Sequence, residues 1–144
     1  MERISDDVYR EGSTALITLN RLADGSLAAR PGASQLDRLA GRLKIAVTRL
    51  RRLRPPEPAR ASDYDLECAV ASYSLDLRFA ATDVRVAARE QADLGTIARG
   101  QARTVRVHQS GVSALSRALR RLAFQPSEPR VQLPRQSGSK SLPE

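Results

Sequence analysis

The chain has no tryptophan, one histidine, one cysteine and one methionine, and only 3% of its 144 residues are aromatic. Each scarcity excludes something. With a single cysteine, Cys68, no intrachain disulfide can form and no cysteine-based zinc set can be completed, so a reducing, cytoplasmic setting is the expectation. With a single histidine, His108, there is no histidine pair to hold a metal. Gly95 and Gly100 lack the Lys-Ser/Thr that a phosphate-cradling loop needs. No run approaches the ~20 apolar residues of a membrane span, and MERISDDVYREGS at the start has neither the apolar stretch nor the cleavage pattern of a secretion signal. These gaps argue against an enzyme and against any cofactor. A core short of aromatics must be built from Leu, Val, Ile and Ala, which favours helix packed on helix.

What is abundant is arginine. Lys and Arg total 24 against 16 acids, a net charge of +8, and only Lys44 and Lys140 are lysines. GC-rich coding DNA gives the same bias, but a strongly basic chain also favours a polyanionic partner. The charge is unevenly spread. Residues 35–54 carry seven bases against the single acid Asp37, and residues 99–121 carry Arg99, Arg103, Arg106, Arg117, Arg120 and Arg121 with no acid. Residues 63–93 hold seven acids and three bases.

Apolar periodicity predicts an all-α fold of about four helices in a small bundle over residues 1–124, with 125–144 as a proline-rich, disordered tail. The first segment places Ile4, Val8, Leu16, Leu19 and Leu22 at helical spacing, although TALITL (14–19) also has strand character. Asp24-Gly25 and Pro31-Gly32 predict a break near 24–33. Ser34 with Asp37 resembles a capping box opening a second helix, whose core stripe is Leu36, Ala40, Leu43, Val47 and Leu50. Pro55-Pro56-Glu57-Pro58 should stop it.

Ser62 reads as the N-cap of a third helix, with Asp63, Asp65 and Glu67 complementing its dipole rather than holding a metal. Its core stripe is Leu66, Val70, Tyr73, Leu77, Ala80 and Val84. Leu75, Phe79 and Val86 form a second apolar set, which predicts self-association as a homodimer. Cys68, beside Ala69 and Val70, is expected to be buried and inert. In the fourth segment, positions 98, 101, 105, 108, 112, 115, 119 and 122 keep one helical phase, whereas RTVRVH (103–108) followed by Gln109-Ser110-Gly111 would suit a strand and a turn. One continuous helix is the reading adopted. His108 falls in core phase and is expected to be partly buried with a satisfied ring.

Three stretches resemble MarR-type winged-helix transcription regulators: LDRLAGRLKIAVTRLRRLRPPEP (36–58), YDLECAVASYSLD (64–76) and GVSALSRALRRL (111–122). That resemblance implies a helix-turn-helix whose recognition helix is 111–122, with EPRVQLPRQSGS (128–139) as a reduced wing. It places Ser113, Ser116, Arg117, Arg120 and Arg121 against duplex DNA, and Arg103 and Arg106 add phosphate contacts through their charge. The wing's Asp-x-Arg pattern and the paired C-terminal helices of that family are missing. The expected function is thus a dimeric, basic, DNA-binding regulator. The other reading is a helical interaction module that docks an acidic protein and has no role on DNA.

Overall fold

The computed structural model describes residues 2–124, and the expected tail and wing lie outside the described residues. Four helices follow one another: α1 (Glu2–Ala23), α2 (Ala29–Leu53), α3 (Arg60–Glu90) and α4 (Leu94–Phe124). No strand occurs among the described residues, and none of the described helices is long and apolar enough to cross a membrane.

Connections of three to six residues force sequential helices to run antiparallel. The cross-helix bonds agree: Arg42 reaches Glu11 and Arg49 reaches Asp7, so α2 descends as α1 ascends. In the same way Arg51 and Arg85 of one pair of neighbours meet Glu67 and Asp37, and Gln101 and His108 of α4 meet Asp83 and Asp76 of α3. The ring closes where α4 packs on α1. In this arrangement α1 is diagonal to α3, and α2 is diagonal to α4.

The core confirms the periodicity of the middle helices. Leu36, Ala40, Leu43, Val47 and Leu50 of α2 are buried, as are Leu66, Val70, Tyr73, Leu77, Ala80 and Val84 of α3. Leu39 and Ala46 widen the α2 stripe, because that helix has neighbours on two sides. In α1, Ile4, Val8, Leu19 and Leu22 are buried and Leu16 only partly so, with Gly12 and Ala15 completing the stripe.

α4 is rotated relative to expectation. Ala98, Val105, Val112 and Leu119, seven residues apart, are buried, but Gln101, His108, Leu115 and Leu122 are only half-buried. Ala102 and Ser116 are buried in their place, since α1 lies against that side. The helix runs through 103–111 without a break, so residues 111–122 are the second half of a long helix and no turn precedes them.

The boundaries differ from expectation at three places. α2 begins at Ala29, not Ser34, so Pro31 sits in its first turn, where the missing N–H has no helical partner to lose. The break shrinks to 24–28, where the Ser26 N–H donates to Asp24 Oδ1 at 2.8 Å and Gly25 takes φ 80°. Asp37 does not cap; Arg85 binds it at 2.5 Å. α3 begins two residues before Ser62 with no side-chain cap at Ala59. Between α3 and α4 the chain turns at Gln91 (φ 53°), and Asp93 caps α4: its Oδ1 accepts from Thr96 N–H at 3.2 Å and its Oδ2 from Thr96 Oγ1 at 2.6 Å. This Asp-x-x-Thr pattern lies in the sequence but involves neither proline nor a turn-forming pair.

Candidate nucleic-acid interface

Continuity of α4 gives its arginines a common direction. At about 100° per residue, positions 99, 103, 106, 117 and 121 fall within a narrow sector on the side away from the buried residues. All five arginines are exposed, and none pairs with a carboxylate of the described residues. Arg99 touches Thr96 Oγ1, at 3.4 Å, and its charge adds to the Thr96 hydrogen bonds that lower the nearby Asp93 carboxyl, without forming an ion pair. Between the two groups the same sector carries Ser110 and Ala114, both exposed.

The other expected contacts divide. Arg120 lies at the edge of this face toward α1, with Nη2 3.9 Å from Asp6 Oδ1. Ser113 is half-buried in a cleft of about 280 Å³ between α1 and α4, which Tyr73, Gln109 and Arg117 also line. Ser116 points inward: it is 6% exposed and its hydroxyl accepts from Ser5 Oγ at 3.1 Å. It is a seam residue between α1 and α4 and is not available to a groove. Arg99 joins the face by its spacing to Arg103 and Arg106, a signal that was present in the sequence.

The basic segment of α2 is built differently. Arg42 pairs with Glu11 at 3.3 Å, Arg49 with Asp7 at 3.5 Å and Arg51 with Glu67 at 2.5 Å. The Glu67 carboxylate, by hydrogen bond and charge, raises the Arg51 guanidinium above its ordinary value. The two basic segments flank α1, whose acids Asp7 and Glu11 meet α2 and whose Asp6 meets α4. Charge that reads as one block along the chain is two separate surfaces: among the described residues, three of the seven bases of the α2 segment meet a carboxylate, and of the α4 arginines only Arg120 does.

The acidic start of α3 does not act as a set of caps. Asp63 is buried with Oδ1 unpartnered, and burial, with a smaller contribution from Glu67, raises its carboxyl above the usual value. Glu67 serves Arg51, and Asp65 is exposed. No cluster of three or more potential metal ligands occurs among the described residues.

His108 is half-buried as expected, with Nε2 hydrogen-bonded to Asp76 Oδ2 and the ring stacked on Tyr73, centroids 5.3 Å apart and planes 8° apart. Cys68 is exposed, against expectation, because it lies on the outer side of α3. The neighbouring thiol raises the Tyr64 hydroxyl above its ordinary value. No protein family, curated protein or solved structure matches this chain.

Proposed function

We propose that this protein binds duplex DNA through the outer face of α4, by arginine–phosphate contacts. The row Arg99, Arg103, Arg106, Arg117 and Arg121, none of them in an ion pair among the described residues, carries the reading. Arginines already held by carboxylates gain less from a phosphate, because one ion pair replaces another. Free ones gain the contact and release the counterions condensed on DNA. The row covers 22 residue steps, about 33 Å at ~1.5 Å each, close to one ~34 Å turn of the duplex. Small residues between its two groups let the helix approach the backbone closely. With Ser116 turned into the bundle, the face is suited to phosphates more than to base edges, so binding is general in sequence.

The experiment is a titration of random duplex DNA across a salt series, comparing two double variants. Arg117→Ala/Arg121→Ala removes free arginines, and Arg42→Ala/Arg49→Ala removes paired ones. The parent should bind with a negative log–log salt slope of about 0.9 per contact, and the α4 variant should flatten it by up to about two units. The α2 variant should keep the parent's slope. Absence of salt-dependent binding at micromolar protein, or equal losses in both variants, overturns the reading.

A further inference from the structure

The outer face of α3 is unpartnered. Leu75, Phe79 and Val86 are 54%, 61% and 39% exposed. Together with Cys68, Ser72 and Thr82 they recur at spacings of four and three, the seven-residue repeat of a two-stranded helical seam. The buried stripe of the same helix lies on its opposite side, so the seam faces solvent along its length.

Charge flanks this seam asymmetrically. On the side toward α2 lie Arg78 and Arg85, fixed there because Arg85 reaches Asp37. On the side toward α4 lie Asp76, Asp83 and, one repeat further, Glu90, fixed there because Asp76 and Asp83 bond to His108 and Gln101. One edge of the seam is basic and the other acidic.

We propose that a second copy of this chain covers the seam, with the two α3 helices parallel and in register. A two-fold axis along α3 lays the basic edge of each copy on the acidic edge of the other. It brings Arg78 toward the partner's Asp83 and Arg85 toward the partner's Glu90, the flanking positions that pair in parallel coils. A two-fold axis across α3 would instead set basic edge on basic edge and acidic on acidic. The seam's ends favour that second arrangement, since Asp65 and Arg89 would then meet; exposed pairs are each weak wherever they lie, so the like-charged flanks of the antiparallel arrangement decide against it. On each side Arg78, which has no ion pair of its own among the described residues, gains the partner's Asp83, while Arg85 is shared between Asp37 and the partner's Glu90. In the parallel arrangement Phe79 packs on the partner's Phe79, and Cys68 lies opposite the partner's Cys68, at a separation a disulfide can bridge. In the antiparallel one Cys68 faces the partner's Val86, and the two thiols are about 27 Å apart along the helix. The proposal does not depend on the α4 reading.

Sedimentation of the full chain without nucleic acid, across the micromolar range, tests it alongside mild oxidation. The parent should sediment as a dimer and form a Cys68–Cys68 cross-link. Phe79→Glu should be a monomer with an unchanged far-ultraviolet spectrum. Arg78→Glu and Asp83→Arg should each weaken dimerisation by roughly tenfold, from lost pairs and new like-charge contacts, and the two together should restore it. A monomeric parent, or a dimer indifferent to Phe79→Glu, overturns the proposal. So does a dimer that resists cross-linking and is tightened by Arg78→Glu, since that is the antiparallel signature.

Discussion

The Tyr73 hydroxyl lies 2.6 Å from the point where a Cβ on Gly12 would stand. Tyr73 is fully buried, and it reaches from α3 across the core diagonal to α1, with His108 stacked on its ring. Its hydroxyl has no hydrogen-bond partner, and the amide Nε2 of Gln109 is 3.3 Å from the same Gly12 position. Glycine is required here for close approach, not for backbone freedom.

A coupled stability effect follows. Gly12→Ala should destabilise by about 1–3 kcal/mol, because overpacking exceeds the ~1 kcal/mol that alanine gains in a helix. Tyr73→Phe removes an unpartnered buried hydroxyl and should be neutral, or stabilising by up to about 1 kcal/mol. Urea unfolding of the double variant should recover at least half of the Gly12→Ala loss. Strict additivity would show that the hydroxyl is not the obstacle.

Asp63 sets a pH dependence of one sign. Its folded-state value lies above the ordinary 3.8, chiefly through burial, so its contribution is favourable below 3.8 and is lost as pH rises through the raised value. At neutral pH the buried carboxylate therefore opposes folding. Asp63→Asn should raise stability by about 1 kcal/mol at pH 7 and add little at pH 3, as measured by urea midpoints at the two pH values.

Asp93 has the opposite sign. Hydrogen bonds from Thr96 lower its carboxyl below 3.8, so the cap stabilises α4 above that value and is lost as pH falls through the depressed one. Thermal melts should show Asp93→Ala melting below the parent at pH 7 and converging with it in acid. A constant difference across pH would mean that the charge of Asp93 is not what matters.

Ser116 and the α4 arginines should separate cleanly. Ser116→Ala strands the Ser5 hydroxyl and should lower stability by up to about 1 kcal/mol while leaving the DNA titration unchanged. Arg103→Ala/Arg106→Ala should do the reverse, shifting the salt slope with the urea midpoint unmoved. Loss of DNA affinity in folded Ser116→Ala would return that side to the interface.

The helical class and the buried faces of α2 and α3 are legible in the order of residues along the chain. Leucine and alanine at spacings of three and four, with so few aromatics, leave a bundle as the packing solution. Those two helices keep one phase because each carries an unbroken apolar stripe. Tertiary structure decided what depends on neighbours. RTVRVH satisfies strand and helix alike, and it is helical because Val105 and Ala102 are buried in the bundle while Val107 stays in water. Pro31 and Gly32 look like a break, yet Pro31 fits a first helical turn and Gly32 makes room for Leu22, whose Cδ2 would lie 2.5 Å from an added Cβ. Most of all, composition counts arginines but cannot say which ones meet a carboxylate. Arg42, Arg49 and Arg51 of α2 meet acids of α1 and α3, whereas Arg103, Arg106 and Arg121 of α4 meet none among the described residues. An ion pair between helices depends on which edges the fold brings together, and that information is not local to any segment of the chain.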